Sequence, residues 1–118
     1  MNERDKLANR QANRHLFKQG SPLNCVRLNP NNTFGHEVTK THLGYLALKK
    51  CHAFLTEAEF EHPQKGRADF VDLDAGEIVE ILATESEEEA LTKVSRYPLP
   101  IKTVKAFEVR LKQTETLK

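Results

Sequence analysis

Cysteine occurs only twice in the 118 residues, at Cys25 and Cys51, which is too few for a disulfide framework. Both are expected to be buried thiols. Neither sits in a Cys-x2-Cys pair, and His36, His42, His52 and His62 show no His-x3-His spacing. A zinc centre assembled from these six residues therefore has no support from spacing, and His36 and His42, six apart, fall on different faces of a helix. A glycine-rich phosphate loop, a nucleophile elbow and an aromatic RNA-stacking motif are also missing, and no organic cofactor is expected. No apolar run approaches the length of a membrane span, and the N-terminus lacks a signal-like apolar core. The expectation is a cytoplasmic protein with no membrane association.

What the chain does have is charge, unevenly placed. Its length suits one domain with a modest core, and the net charge is only +1. Residues 57–89 nevertheless carry twelve acids against Lys65 and Arg67, while residues 1–20 and 90–118 are both basic. An acidic centre between basic ends suits a cation site beside a phosphate-tracking rim, or simply a solvated acidic surface.

Local patterning divides the chain into an arm or loop at 1–32, a folded unit at 33–111 and a polar tail at 112–118. Residues 1–19 read as a polar helix or frayed arm, in which Leu7, Leu16 and Phe17 are too sparse for an apolar stripe. Arg10 and Arg14 are candidates for contact with a phosphate backbone. A short extended piece at Leu23–Leu28 precedes the turn Asn29-Pro30-Asn31-Asn32. Asn32 or Thr33 can cap a helix whose Phe34, Val38, Thr41, Tyr45 and Leu48 recur at spacings of four and three, ending near Lys49 and Lys50. Glu37 lies in its first turn, where it complements the helix dipole or serves a site.

His52–Phe60 reads as a strand, with Phe54, Thr56, Ala58 and Phe60 alternating against Leu55, Glu57 and Glu59. Glu57 and Glu59 would share a face, exposed or near a cation. Two further strands, Arg67–Leu73 and Glu77–Ala83, flank the turn residues Asp74-Ala75-Gly76. Asp69 and Glu80 lie mid-strand among residues that ought to be buried. Because ionised carboxylates are costly to desolvate, the pair suggests a shared cation. Ser86 and Glu89 have capping-box spacing for a second helix with Leu91, Val94 and Tyr97 on its apolar face, stopped at Pro98-Leu99-Pro100. Ile101–Leu111 completes the pattern as a strand.

An Asp on one strand, followed about ten residues later by an acid-x-Lys triplet on the next, resembles the PD-(D/E)XK nuclease-like superfamily, which includes restriction endonucleases and archaeal Holliday-junction resolvases. Here Arg67-Ala68-Asp69 stands for the first half and Glu80-Ile81-Leu82 for the second, with Leu82 where the family has lysine. The resemblance implies an α/β fold with a restriction-endonuclease-like αβββαβ core, its central mixed sheet flanked by helices, spanning residues 33–111. It also implies Mg²⁺ (or Mn²⁺) held by Asp69 and Glu80, Glu37 as a third acid, and phosphodiester hydrolysis on DNA, including branched or structured DNA. Lys93 is the first candidate for the missing lysine and Lys40 the reserve. Glu89 and Lys93 also form a helical i,i+4 pair, which is the structural reading of Lys93. Lys40 and Arg67 join Arg10 and Arg14 as nucleic-acid contacts, and a homodimer is expected. The alternative is a nuclease-fold module that binds nucleic acid or protein without cutting.

Overall fold

The hairpin that the sequence places at the centre forms as expected. In a computed structural model, β2 (Gly66–Asp72) and β3 (Glu77–Leu82) pair antiparallel, with Asp72 opposite Glu77. Asp72 Oδ1 accepts the amides of Asp74 at 3.0 Å and Ala75 at 2.9 Å. Gly76 takes φ +69°, which the absence of a Cβ makes inexpensive. The structure describes residues 2–83, 86, 88–89, 92 and 94–108.

Around this hairpin stand β1 (Phe54–Phe60), antiparallel to β2, and β4 (Ile101–Lys105), parallel to β3, giving one mixed sheet in the order β1-β2-β3-β4. With the helices α1 (Glu3–Arg14) and α2 (Phe34–Lys49), the domain is of the α/β class. The parallel β3–β4 step requires a crossover, and residues 83–100 supply it, with a 3₁₀ turn at Val94–Arg96. Within this stretch the Glu89 amide donates to Ser86 Oγ at 3.2 Å, the first half of the anticipated capping box. Lys93 and Leu91, and residues 109–111 of the last anticipated strand, lie outside the described residues.

Both faces of the sheet are covered. On one, Leu55, Ala58, Phe60, Val71, Leu73 and Ile78 form a core with Phe17, which follows α1 and is only 3% exposed. Phe17 meets Phe60 edge-on at 6.1 Å. On the other, Phe54, Phe70 and Val79 pack beneath Ala47 and Leu43 of α2, with Phe54 and Phe70 stacked at 5.2 Å. The N-terminal helix docks through polar contacts. Arg10 pairs with Asp74 at 3.1 Å, and Asn13 Nδ2 donates to the Leu73 carbonyl at 2.8 Å. The segment before α2 lines the free edge of β1, with the Asn24 amide donating to the Phe54 carbonyl and the Arg27 amide to Thr56 Oγ1.

Two sequence expectations fail here for identifiable reasons. Thr33 caps α2, accepting the His36 amide at 3.1 Å, but the helix buries the opposite stripe from the one its apolar spacing marks. His36, Thr39, Lys40, Gly44 and Ala47 face the sheet, while Phe34, Tyr45 and Leu48 are half exposed. Close approach decides this. A Cβ on Gly44 would lie 3.0 Å from the Phe54 ring, so the small-residue face is the one that fits against the sheet. Cys25 and Cys51 are exposed rather than buried, Cys51 in a turn with φ +60° just after α2.

A Cβ on Gly35 would stand only 2.0 Å from the Phe107 carbonyl oxygen, which is backbone and cannot swing aside. Gly35→Ala should therefore displace the segment after β4 and cost about 2 kcal/mol, in the range seen for overpacked sites. Urea titration monitored by circular dichroism checks this; an unchanged midpoint would show that the segment yields freely.

Candidate functional site: a polar chain through the sheet

The regular alternation of β1 breaks at Glu57. Leu55 and Ala58, three apart, share one core, and so do Ala68 and Val71 on β2. The rows between them lose their pairing: Thr56 opposes Phe70 and Ala58 opposes Ala68, but Glu57 and Asp69 form no ladder pair. The cause on β1 is a left-handed backbone at Glu57, φ +48°, a conformation that costs a non-glycine residue about 1–3 kcal/mol. This turn corrects the expectation that Glu57 and Glu59 share a face. Glu57 is buried and points to α2, while Glu59 stays exposed.

What the strained turn delivers is a carboxylate to a buried lysine. Lys40 is 0% exposed, and its Nζ lies 2.6 Å from Glu37 Oε2 and 3.3 Å from Glu57 Oε1 while donating to the Arg27 carbonyl at 2.9 Å. Lys40 is thus enclosed and committed to internal partners, which takes it away from the phosphate-contacting surface where the sequence reading put it. Glu37 has both oxygens engaged: Oε1 accepts the Asn29 amide, and Oε2 meets Lys40 and, at 3.2 Å, His36 Nδ1. Burial pushes the Glu37 carboxyl up, but the bonds from Lys40, Asn29 and His36 outweigh it and hold it below its ordinary range.

His36 extends the chain to the central hairpin. Its Nε2 lies 3.4 Å from Asp69 Oδ2, and its pKa is raised chiefly by the bond to Asp69, against the opposing effect of burial. Asp69 Oδ2 also accepts the Ile81 amide at 2.9 Å, while Glu80 Oε2 accepts the Asp69 amide at 3.0 Å. The two carboxylates thereby replace the ladder bonds of a gap in the sheet, since the β2–β3 pairing stops at Phe70–Val79. Glu80 also accepts the Tyr97 hydroxyl at 2.6 Å, on the side of the sheet where Tyr97 joins the Phe17 core. Asp69 reaches the α2 side, and the pair meets through the gap.

Burial first, then the charge of Asp69, raises the pKa of Glu80 to about 7. Below about pH 7 Glu80 therefore keeps a proton that a separate carboxylate would have lost. The donor set of the pair, two hard carboxylates and partial access to solvent (Asp69 is 23% exposed), fits a Mg²⁺-sized ion that keeps most of its water. Glu37 does not fit as a further ligand, because the Lys40 ammonium 2.6 Å from its Oε2 already neutralises it and would repel a cation. Among the described residues, no group of three or more His, Cys, Asp and Glu side chains is arranged to hold a metal ion.

The remaining candidates are spread out. Leu82, the residue that stands in place of lysine in the motif the sequence resembles, is buried. Arg67 is exposed on β2, Arg10 clamps Asp74, and Arg14 donates to the Ser21 carbonyl at 2.7 Å. Lys93 lies outside the described residues. His36 is the residue that sequence reasoning missed at this site, although its i,i+4 relation to Lys40 on the helix could have shown that both face the sheet. No protein-family model matches the chain, and no curated protein or solved structure matches it significantly. Among the described residues no helix is long and apolar enough to cross a membrane.

Proposed function

We propose that this chain is a nuclease-like domain of the PD-(D/E)XK kind that acts on DNA through a divalent cation held by Asp69 and Glu80. The observation that carries the reading is the meeting of these two carboxylates across neighbouring strands, with Glu80 retaining a proton to about pH 7 that a cation would displace. The strand order, with an antiparallel β1-β2-β3 meander followed by a parallel β4, agrees with the αβββαβ arrangement. A bound Mg²⁺ would polarise a phosphodiester and lower the pKa of an attacking water. The protein's own share is to hold the pair at fixed spacing through the Ile81 and Asp69 amides and to place His36 beside Asp69.

A second reading is favoured by Leu82, whose buried aliphatic side chain cannot orient water or balance developing charge. On that reading the domain binds nucleic acid without cutting it. Cleavage of branched, single-stranded and duplex DNA in Mg²⁺ or Mn²⁺ separates the two. Wild type should cut, and Asp69→Asn and Glu80→Gln, which keep acceptors for the backbone amides, should lose at least a hundredfold. Lys93→Ala tests the substitute lysine by the same assay. Equal activity in wild type and both carboxylate variants would sink the nuclease reading, whereas salt-sensitive binding with no cleavage supports the second.

A further inference from the structure

Two cavities of opposite character adjoin at Asn32 and Glu57. One is an apolar groove of about 750 Å³, walled by Leu28, Phe34, His42 and Phe107 and by Asn29 and Asn32. Phe34 is 50% and Phe107 43% exposed, and the His42 and Phe107 rings meet edge-on at 5.2 Å. The other is a polar cleft of about 430 Å³ lined by Lys18, Arg27 and Arg67 with Glu57 and Glu59. Glu57 is paired with Lys40 and Glu59 with Lys18, whereas the exposed Arg27 and Arg67 have no ion pair among the described residues. A single layer divides the two cavities. Arg27 lines the cleft and Leu28 the groove, and Asn32 Nδ2 in the groove donates to Glu57 Oε1 in the cleft at 3.4 Å. Glu37 also lines the groove, and His36 connects it to Asp69.

We infer that groove and cleft together hold an unpaired DNA strand, the groove taking bases and the cleft the phosphates beside them. The inference rests on DNA as the partner in the reading above and names the form of that DNA. A base offers its flat face to a protein only when it is unstacked, and proteins that hold single strands join aromatic platforms to a positively charged groove along the backbone. Phe34, His42 and Phe107 supply the platform, and Arg27 and Arg67 supply charge that no neighbouring acid neutralises.

The polar groups of the groove suit a base edge. Asn29 Oδ1 accepts the Asn31 amide at 3.0 Å, and Asn32 Nδ2 is engaged with Glu57. Among the described residues the Asn29 NH₂ and the Asn32 side-chain carbonyl have no partner, so the groove offers a donor and an acceptor to a ligand that carries both. Its volume lies within the roughly 300–1,000 Å³ of cavities that enclose small molecules, which is room for a base or two and not for a duplex. A duplex backbone would engage the arginines and leave the aromatic groove empty. An apolar peptide would fill the groove and leave the arginines unused. The juxtaposition of the two favours the single strand.

Fluorescence anisotropy tests this with the full chain, a labelled single strand of about a dozen nucleotides and the matching blunt duplex, all in EDTA so that nothing is cut. The single strand should bind roughly tenfold tighter or more. Phe34→Ala should weaken that binding about fivefold or more and leave duplex binding and the circular dichroism spectrum unchanged, and Phe34→Trp, which keeps a stacking face, should restore it. Arg27→Gln should lower the slope of log affinity against log salt by about 0.7, the amount for one phosphate on a single strand. Equal affinity for single strand and duplex overturns the inference, as does single-strand binding indifferent to Phe34→Ala. Either result beside cleavage that depends on Asp69 and Glu80 leaves the nuclease reading in place. A single strand bound through Phe34 but never cut keeps this inference and favours the non-cutting domain. Binding of an amphipathic peptide with no binding of DNA overturns both.

Discussion

Lys40→Met should cost the domain about 3–5 kcal/mol at pH 7, the usual penalty for removing one partner of a buried ion pair. Methionine matches the length and flexibility of the lysine stem, so packing is largely kept and the loss is electrostatic. The ammonium is fully enclosed and bridges Glu37 and Glu57 while donating to the Arg27 carbonyl. Without it, two buried carboxylates face each other with Asn32 and His36 as their side-chain partners. Small domains have only about 5–15 kcal/mol to lose, so the variant should be marginal.

The pH dependence of that loss identifies its origin. The Glu37 carboxyl is held below its ordinary range, so its stabilising share is present above the ordinary carboxylate pKa and disappears as pH falls through the lowered one. Lys40→Met removes much of this share. The gap between variant and wild type in urea unfolding should therefore persist from neutrality down to about pH 4.5 and narrow below it. Lys40→Met combined with Glu37→Gln and Glu57→Gln should recover part of the loss, because neutral amides leave no buried charge unpaired. A deficit below about 1 kcal/mol that does not vary with pH would contradict the bridging role.

The hairpin, the cap at Thr33 and the α/β class were legible because each rests on local chemistry: β-branched runs, an acidic turn with glycine, and a threonine before a helix. The burial of α2 was not. Its two faces compete, and the apolar spacing of Phe34, Val38, Thr41, Tyr45 and Leu48 is the stronger local signal. The packed face is chosen instead by how closely Gly44 and Ala47 allow the helix to approach Phe54, a tertiary contact with no trace in periodicity. Glu57 failed for a related reason. A strict period of two assumes an extended backbone at every residue, and the left-handed turn at Glu57 breaks it to satisfy Lys40 seventeen positions earlier. Asp69 and Glu80 could be singled out as costly mid-strand acids. That they bond each other's strands through backbone amides, with His36 beside them, depends on a ladder gap that no spacing rule encodes.

Glu80→Gln should stabilise the protein in alkaline solution, unusually for a substitution of a hydrogen-bonded residue. Burial and the charge of Asp69 raise the Glu80 pKa to about 7, so the folded state holds this proton more tightly than the unfolded chain does. The resulting stability is complete below the unfolded pKa near 4.5 and is lost as pH rises through about 7. A shift of this size corresponds to about 3 kcal/mol, and somewhat less for a pair that shares its proton. Glutamine stays neutral throughout, and its amide can accept the Asp69 N–H while its NH₂ turns to the Tyr97 oxygen. Wild type should lose stability between pH 5 and 8, while the variant keeps the smaller slope due to His36, whose raised pKa acts in the same direction. At pH 8 the variant should unfold at higher urea than wild type, and at pH 5 the two should converge. Millimolar Mg²⁺ at pH 8 should then raise the wild-type melting temperature, because the ion takes the place of the missing proton between the carboxylates, and should leave Glu80→Gln little changed. Parallel pH profiles for wild type and variant would mean that the carboxylates do not share a proton. Equal responses to Mg²⁺ would mean that they do not share an ion.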